Sequence, residues 1–474
     1  MDDAATYDVR VYKTEVYKGA TVTTYNVRWK VNDRLLKEPF RTAALADSFR
    51  STLMTATRGG EAFSAETGRP VSWKRAEPKK PHLSWYAFTL GYVAAKWPYA
   101  SPNHRRGIAE ALTDVAEVML TSSDPPHTRD EIRLALLRWA YSDRMRGAKA
   151  PPDDMASIIG WLEDNTVPVA DLAEPGTGSA RARAMLDRIS KKKDGTAAAA
   201  NTANRKRMVL NNALQYAVET NALPANPLSA VKWTRPRTLK TVDPRGVVNS
   251  DQARRLLTAV AATGPRGERM VAFFGCMYYA ALRPEEAVDL RRDNLTDLPD
   301  DGWGEMLLTH SEPRSGTSWT DNRRARQRRE LKHRAPGETR TVPIHPELVI
   351  LLRDHLKRHG TGPGGRIFIG PRGGILTDRA YLAVFHQARA AAFTGPEAAS
   401  LLARRPYDLR HAAVSTWLNA RVAPPQVADW AGHSVHVLLR VYAKCISGQQ
   451  DEAKRRILEA TQPGAASDKA GPAS

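Results

Sequence analysis

Residues 233–249, WTRPRTLKTVDPRGVVN, separate two long stretches of periodic sequence and have no periodicity of their own. Proline and charged residues dominate this segment, a composition typical of extended linkers, and Ser250 directly after it is suited to be the N-cap of a helix. A chain of 474 residues is also too long for one ordinary hydrophobic core. We therefore predict an interdomain linker at 236–249, with separate domains before and after it.

The first part of the chain, residues 1–75, has the patterns of strands and one helix. Residues 7–17 and 21–31 alternate Val or Tyr with polar residues, which is the period of a half-buried strand, and 34–40 can supply a third strand. Residues 42–60 follow with helical spacing and end at a Gly-Gly stop. We predict a three-stranded sheet with one helix, which buries little surface and is therefore an accessory module.

Residues 80–235 have helical periodicity and are predicted to form a helical domain. In its last helix, near 199–221, three basic residues precede apolar residues that recur at helical spacing. The basic residues are Arg205, Lys206 and Arg207. Two interpretations of this cluster stay open, a solvated basic face on a core helix or a set of contacts with phosphate groups.

Residues 250–460 combine helices at both ends with a strand-rich middle at 305–310, 340–344 and 366–369. The final residues, 461–474, are small and polar and are predicted to be disordered. The predicted fold class is therefore mainly α with α+β parts. It comprises a small β-sheet-plus-helix N-terminal module, a helical domain and an α+β C-terminal domain.

The charge of the chain limits its partners. It carries 71 Lys plus Arg against 51 Asp plus Glu, which gives a formal charge of +20 and a pI of about 10.0. Such an excess indicates a polyanionic partner, and nucleic acid is the leading candidate. A ribosome-associated protein or a binder of acidic surfaces would carry the same charge, so the charge alone does not identify the chemistry.

Several common routes to function lack their residues here. The two cysteines, Cys276 and Cys445, supply neither a disulfide framework nor a Cys-based zinc site. The Walker loop, H-E-x-x-H and G-x-S-x-G are absent, and we expect neither a metal nor a cofactor. The N-terminus lacks a signal-peptide pattern, and the longest apolar run, 270–282, is too short to span a bilayer. We expect a cytoplasmic protein in which this run forms a buried helix.

The residues best suited to chemistry lie in three segments of the C-terminal half. In the first, Arg283 precedes Pro284 at a predicted helix start, and Glu286 follows three residues after the arginine. A helix N-terminus beside a guanidinium group favours an anion such as phosphate, because both present N–H donors.

The second segment, 404–434, ends at Gly432-His433, and the third, 435–444, contains Tyr442 nine residues after His433. The polar residues near the helix start of the second segment are Tyr407, Arg410 and His411. Taken alone, Tyr442 could equally be a half-buried core residue whose hydroxyl faces water.

The order of these residues resembles the catalytic signature of the tyrosine recombinases, the phage-type integrase family. The signature consists of Arg with Glu three residues later, then x-x-x-R-H, then G-H, then Tyr nine residues after that His, and the match spans roughly 250–460. The resemblance implies that 1–75 is an arm-type DNA-binding module and 80–235 a core-binding domain. It assigns Arg283 and Arg410 as phosphate-clamping residues, His433 as the histidine of the third box and Tyr442 as the nucleophile.

The resemblance also implies a lysine on a β-hairpin between the first and second segments. Lys332, in LKHRAPGETRTVPIHPEL (331–348), precedes a turn and a strand-like stretch and is the candidate general acid. Arg334 and Arg340 remain alternatives because basic residues crowd this region. The supporting candidates are Glu286 and His411.

The chain departs from the family pattern at two positions. The family commonly has His three residues before its second arginine, whereas this chain has Tyr407. A phenol can donate a hydrogen bond to a phosphate oxygen, but its reference pKa of ~10 prevents it from carrying a proton near neutral pH, and His411 is the residue that can compensate. Ala281 stands where a glycine is frequent.

The resemblance implies a reaction in which Tyr442 attacks a DNA phosphate, two arginines stabilise the growing charge, and Lys332 protonates the departing 5′ oxygen. The product is a 3′-phosphotyrosyl bond, and rejoining needs neither ATP nor a metal because the ester is exchanged. The implied partners are double-stranded DNA attachment sites, three further copies in a homotetramer, and accessory DNA-bending or directionality proteins, with no membrane partner. A nucleoid-associated location would follow when the protein is bound to DNA.

Two alternatives share parts of this pattern. A type IB topoisomerase uses the same chemistry to relax supercoils, and a non-catalytic DNA-binding protein could retain the fold without the reaction. The integrase-like N-terminal modules and the Gly-His box argue against the first. Tyr407 is the only sequence feature that favours the second, and the intact Arg283, Arg410, His433 and Tyr442 argue against it.

Overall fold

In this computed structural model the described residues are 5–19, 23–75, 83–148, 150–238, 241–332, 334–335, 337–442, 445, 454–455, 457–458 and 461. The chain divides into two compact units, Met1–His82 and Leu83–Ser474. The tail that the sequence predicts to be disordered, 461–474, lies outside the described residues apart from Thr461.

The unit Met1–His82 is a small sheet with one helix. Its elements are β1 Ala5–Thr6, β2 Val9–Val11, β3 Glu15–Lys18, β4 Thr23–Val31, β5 Arg34–Phe40, α1 Ala43–Arg58 and β6 Phe63–Ser64. Strands β2 and β3 pair with successive parts of β4, β5 pairs with the same strand, and all these pairings are antiparallel. The first predicted strand, 7–17, is therefore divided into two short strands, and β1 pairs separately with β6.

One face of this sheet packs against α1. Val27, Trp29 and Val31 alternate along β4 and are buried together with Leu53 of the helix. The indole Nε1–H of Trp29 donates a hydrogen bond of 2.5 Å to the carbonyl of Gly68. The N-cap of this helix is Thr42, whose side chain accepts from the backbone N–H of Leu45 at 3.3 Å.

The first part of the unit Leu83–Ser474 is helical, and we call residues 83–235 the helical region. Its α-helices are α2 Trp85–Lys96, α3 Pro102–Ala116, α4 Arg129–Ala135, α5 Asp143–Ala148, α6 Asp153–Asp164, α7 Thr177–Ile189 and α8 Ala200–Glu219. A π-helical turn, Leu136–Ala140, continues α4. The large aromatic residues Trp85, Tyr86 and Tyr92 are buried in its core.

The remaining elements follow the predicted linker. They are α9 Ser250–Ala261, α10 Pro265–Glu268, α11 Val271–Tyr279, α12 Pro284–Asp289, β7 Leu295–Asp297, β8 Gly304–Leu308, β9 His310–Ser311, β10 Arg329–Glu330, β11 Arg340–Ile344, α13 Pro346–His359, α14 Asp378–Ala392, α15 Gly395–Ala399, α16 Tyr407–Asn419, α17 Pro424–Ala431 and α18 Val435–Tyr442. Short 3₁₀ helices lie at Val71–Arg75, Glu117–Met119, Val169–Ala173, Pro227–Ala230, Pro244–Gly246, Arg292–Asn294 and Pro363–Gly365.

Strands β7, β8 and β11 form an antiparallel sheet in the order β11-β8-β7, in which Val342 lies opposite Met306. The apolar run at 270–282 contains the buried helix α11, whose Phe273 and Phe274 contact aromatic residues of this core. The observed elements confirm the fold class predicted from the sequence, mainly α with α+β parts.

Two local predictions are wrong. The N-cap of α9 is Asn249 and not Ser250, because the Asn249 side chain accepts from the N–H of Gln252 at 2.9 Å while Gln252 bonds back to the Asn249 N–H. Residues 366–369 do not form a strand, since Arg366 and Ile369 make only isolated bridges with loop residues. Within the part of the chain that the structure describes, no helix has the length and apolar composition needed to cross a membrane.

Residues 312–328, which we call the β9–β10 loop, reach from the C-terminal elements to the helical region. Trp319 of this loop is 7% exposed and belongs to the core of the helical region, with its ring centroid 6.3 Å from that of Trp97. Arg105 of α3 donates hydrogen bonds to the Trp319 carbonyl at 3.0 Å and to the Asp321 carboxylate at 2.7 Å. The loop, which connects two strands of the C-terminal elements, therefore contributes a side chain to the core of the helical region.

Candidate active site

A buried carboxylate, Glu286, lies among three arginines. Arg283 is the N-cap of α12, and Glu286 accepts from its backbone N–H at 2.8 Å and from its Nη1 at 2.6 Å. Arg340 of β11 donates from Nη1 and Nη2 to the two oxygens of Glu286 at 3.0 and 2.7 Å. Nη1 of Arg410 is 4.0 Å from the same carboxylate. Arg283 at the start of α12 and Arg340 on β11 are thus held in place by the same carboxylate, that of Glu286.

The charge of Glu286 is maintained by its partners. Burial alone would raise the pKa of this carboxyl, but Arg340, Arg283 and Arg410 outweigh burial and hold the pKa well below its usual range. The carboxylate is therefore ionised at neutral pH. Because it is 1% exposed, its attraction to the guanidinium groups is little screened by water.

Arg410 is fully buried in α16. Its guanidinium donates to the carbonyls of Ala281 and Ala431, and its Nη2 is 3.0 Å from Nε2 of His433. Ala281 has a φ of 50°, in the left-handed region that favours glycine. This backbone conformation accounts for the frequent glycine at this position of the family, where this chain has alanine. The turn after α11 therefore places the Ala281 carbonyl where Arg410 can donate to it.

Tyr442 ends α18 and is fully buried beside two histidines. Its Oη is 2.9 Å from Nδ1 of His411, and its ring centroid is 6.1 Å from that of His433. Burial raises the pKa of Tyr442, and the positive charge of Arg410 opposes this effect without cancelling it. Burial and neighbouring cations, Arg410 first among them, lower the pKa of His433 to about 3.

The helix that carries Tyr442 also touches the predicted linker. The backbone N–H of Val242 donates to the carbonyl of Val441 at 2.8 Å, and the Val242 side chain packs against the small core that contains Tyr442. The segment predicted to be a linker is therefore attached to α18 at this point.

Lys332 is exposed and lines an open pocket of about 480 Å³ together with Gly432 and His433. Its two alternatives are both ion-paired. Arg334 binds Asp429 at 2.6 Å, and Arg340 binds Glu286. Among the described residues, no hydrogen bond or ion pair engages Lys332, so its ammonium group can meet a ligand in this pocket.

Tyr407 is the first residue of α16. Its ring centroid lies 5.0 Å from that of His411, and the guanidinium carbon of Arg410 is 5.9 Å from its ring. The structure thus brings Tyr407 next to the arginine and histidine predicted with it.

The three basic residues of α8 have different environments. Lys206 is paired with Asp114 inside the helical region, where Arg133 and Arg188 reach the same carboxylate. Arg207 lies over the ring of Trp233 at 5.2 Å. Arg205 is half exposed beside Glu110, at 3.3 Å. Only Arg205 of the three lines a cavity shared with the β9–β10 loop, so it is the strongest of the three candidates for ligand contact.

This cavity, of about 840 Å³, lies between the helical region and the C-terminal elements. Its basic lining residues are Arg205, Arg314, Arg326, Arg329 and Lys332, which outnumber the acidic ones, Glu285, Glu330 and Asp378. Arg329 is half-buried, and burial lowers its pKa, while the charge of Glu285 opposes this effect. The sequence did not identify Arg329 as a candidate site residue, although Arg329 lies in the strongly basic run 323–334.

Comparison with known proteins gives a family match for the C-terminal part of the chain. Residues 247–446 match the model of the phage integrase family. No curated protein matched the sequence.

Solved structures with likeness to this chain include the Tn1549 transposon integrase in complex with a circular intermediate DNA, at 17% identity over 67% of this chain and 96% of that chain, with a TM-score of 0.46. The XerH site-specific recombinase bound to a palindromic difH substrate is similar at 13% identity over 76% and 97%, with a TM-score of 0.41. Lambda integrase residues 75–356 bound to DNA are similar at 13% identity over 66% and 95%, with a TM-score of 0.39.

Proposed function

We propose that this chain, whose residues 247–446 match the model of the phage integrase family, is a tyrosine recombinase that cuts and rejoins DNA with Tyr442 as the nucleophile. The observation that carries this proposal is the buried cluster of Arg283, Arg340 and Arg410 around Glu286, immediately beside Tyr442 and His433. Fixed arginines of this kind suit a reaction that concentrates negative charge on phosphate oxygens.

In the proposed reaction, the Tyr442 oxygen bonds to the phosphorus of one DNA strand. The non-bridging oxygens gain charge, and the N–H donors of Arg283 and Arg410 stabilise it. The bond from phosphorus to the 5′ oxygen breaks, and Lys332 gives its proton to that oxygen. The product is a 3′-phosphotyrosyl bond, and attack by a 5′ hydroxyl on this bond rejoins DNA by the reverse path.

His433 is proposed to act as a donor to the phosphate. Its Nε2 lies 3.0 Å from an arginine nitrogen, and arginine has donors only, so Nε2 is the accepting nitrogen and Nδ1 carries the proton. Nδ1 is buried without a hydrogen-bond partner among the described residues, and it is therefore available to a ligand.

The nucleophile is enclosed in this structure, since Tyr442 is 0% exposed. The phosphate can therefore reach the hydroxyl only after the groups that cover Tyr442 move aside. We propose that DNA binding favours this movement, because a phosphate at the arginines competes with their present hydrogen bonds to the carbonyls of Ala281, Ala431 and Gly432.

The proposed partner is double-stranded DNA at attachment sites, and the proposed outcome is integration or excision of a mobile element by a homotetramer. The basic cavity between the helical region and the β9–β10 loop supports a duplex path past Lys332. Binding should weaken with salt by a slope of about −0.9 per neutralised phosphate. The helical region, 83–235, is proposed as the core-binding domain.

The unit Met1–His82 is proposed as an arm-type DNA-binding module. The face of its sheet opposite α1 carries two pairs of like charges at directly opposed positions, Arg28 with Lys37 and Arg10 with Lys30. Opposed like charges destabilise a sheet unless an anion lies near them. Glu15 and Asp33 offset part of this charge, at 3.6 and 3.0 Å.

A trapping experiment tests the nucleophile. Full-length protein is incubated with a pool of 5′-labelled duplexes of random sequence, each with one nick, so that the short fragment released by cleavage diffuses away. DNA that remains attached after denaturation is sequenced, which also identifies the site. We expect an adduct with the wild type and with Tyr99→Phe, whose tyrosine is 90% exposed, and none with Tyr442→Phe. An equal adduct from Tyr442→Phe would reject this assignment.

A further inference from the structure

The proton of Tyr442 must leave as the oxygen bonds to phosphorus. A phenol with the reference pKa of ~10 is almost fully protonated at neutral pH, and burial raises the pKa of Tyr442 above that value. The reaction therefore needs a proton acceptor within hydrogen-bond distance of the hydroxyl oxygen.

His433, the histidine of the Gly-His box, does not satisfy this need in the observed geometry. Its accepting nitrogen, Nε2, receives an N–H from Arg410 at 3.0 Å, and its other nitrogen must then carry the proton. Both nitrogens are thereby unsuited to accept the phenolic proton, although the ring lies beside that of Tyr442.

His411 has the required geometry. Its Nδ1 is 2.9 Å from the Tyr442 oxygen, and the two rings meet edge to face with centroids 5.6 Å apart. The phenol donates and Nδ1 accepts, so the imidazole holds its own proton on Nε2. Both residues are well placed by their helices, His411 in the first turns of α16 and Tyr442 at the end of α18.

We propose that His411 is the general base that takes the proton of Tyr442. This assignment rests on the proposed function and adds the missing proton step. As the bond from Oη to phosphorus forms, the phenolic proton passes to Nδ1 of His411, and as the bond to the 5′ oxygen breaks, Lys332 gives a proton to that oxygen. In rejoining, Lys332 takes the proton of the attacking 5′ hydroxyl, and His411 returns its proton to the departing tyrosine oxygen.

The surroundings of His411 suit a base that is neutral before the reaction. Burial, followed by the charges of Arg410 and Arg405, lowers the pKa of His411 to about 4, while Asp408 opposes them. The other titratable groups near it are Tyr407, Tyr442 and His433, and Asp243 lines the cavity beside it. A bound phosphate adds negative charge, which favours the imidazolium formed during attack.

The pH dependence of the cleavage rate separates a base from a residue that only positions Tyr442. His411→Gln keeps a polar side chain beside the phenol but cannot take up a proton. We expect its single-turnover cleavage rate at neutral pH to fall by ~10²–10⁴, the usual contribution of general-base catalysis. The wild-type rate should be flat between about pH 6 and 8, whereas the variant rate should rise by about tenfold per pH unit as hydroxide replaces the base.

A substrate with sulfur in place of the bridging 5′ oxygen separates the base from the general acid. A thiolate leaves without protonation because the reference pKa of a thiol is ~8.5, so this substrate should restore cleavage by Lys332→Ala. It should leave His411→Gln slow, because the attacking phenol still has to lose its proton. His386→Gln, an exposed histidine of α14, is the matched control and should match the wild type with both substrates.

Each outcome has one meaning. Absence of an adduct with the wild type would overturn the proposed function itself. A wild-type adduct together with a His411→Gln rate that is unchanged, or slow but flat with pH, would overturn the assignment of His411 alone. Rescue of His411→Gln by the sulfur substrate would do the same, because it would place His411 on the leaving-group side. DNA affinity, measured for each variant, reports whether the site is folded.

Discussion

At the scale of single residues, Glu286 determines whether the arginine cluster is a stable arrangement. Three guanidinium groups without their shared carboxylate would leave buried, unpaired positive charge, which typically costs about 3–5 kcal/mol when one partner of a buried pair is removed. We therefore expect Glu286→Gln to lower the free energy of unfolding by that amount at pH 7, and to slow cleavage by displacing Arg283 and Arg340. Urea denaturation measures the first effect and adduct formation the second.

The same residue gives a pH dependence with a definite sign. The arginines depress the folded-state pKa of Glu286, so its stabilising contribution is complete above the unfolded value of ~4.3 and declines as pH falls towards the folded value. The gap in unfolding free energy between wild type and Glu286→Gln should therefore shrink below about pH 4.3. Glu268→Gln, at an exposed position, should show no such gap. A gap that stays constant down to pH 3 would contradict a depressed pKa.

The resemblance to the tyrosine recombinases grouped Arg283, Glu286, Arg410, His433 and Tyr442 as one set, and the structure places them close together. The role of Arg340 was not predicted, because its bonds to Glu286 join residues 54 positions apart and no local pattern records them. Ala281 stands where glycine is frequent in the family, and its φ of 50° lies in the region that favours glycine, which a sequence alone does not show. The sequence could not show which residues form ion pairs when they lie far apart along the chain.

At the scale of elements, the β9–β10 loop attaches the C-terminal elements to the core of the helical region. Besides the bonds from Arg105, the Ser142 hydroxyl donates to the carbonyl of Ser318 at 2.7 Å, and Arg144 donates to the carbonyl of Thr317. The sequence predicted strands on both sides of this loop but gave no sign that Trp319 joins another core. A tryptophan in a basic, aperiodic stretch is typical of an exposed loop, and only tertiary packing makes it a core residue.

We expect Trp319→Ala to loosen the attachment of the helical region to the C-terminal elements. Replacing a buried tryptophan by alanine costs about 3–5 kcal/mol, so the ratio of docked to undocked molecules should fall by about a hundredfold or more. Fluorescent labels at Tyr99→Cys of the helical region and Ile350→Cys of α13, both exposed positions, would report the distance between the regions in single molecules. The wild type should give one narrow distribution and the variant an additional, longer distance.

Trp303→Ala is the matched control, because this tryptophan is 58% exposed and lies outside the helical core. It should leave the distance distribution unchanged. If Trp319→Ala lowers the melting temperature but keeps the single narrow distribution, the loop contributes to packing without governing the attachment.

At the scale of the whole molecule, the formal charge of +20 does not identify which surfaces bind DNA and which do not. Composition predicted a polyanionic partner but could not locate the contact, because position on a face depends on strand pairing. In the unit Met1–His82 that pairing sets Arg28 opposite Lys37 on the side of the sheet away from α1. This local excess is the reason to expect DNA there.

Reversing both charges in full-length protein, with Arg28→Glu and Lys37→Glu, should weaken binding to a long duplex and reduce the salt slope by about one for each lost phosphate contact. Arg41→Glu with Arg58→Glu changes the net charge of the same unit equally, but Arg41 directly precedes the N-cap of α1 and Arg58 is the last residue of that helix. Fluorescence anisotropy between roughly 50 and 200 mM salt measures both slopes. Equal losses from the two pairs would mean that net charge alone matters. A selective loss from the first pair, with adduct formation at Tyr442 preserved, would show that the sheet binds DNA independently of the cleavage site.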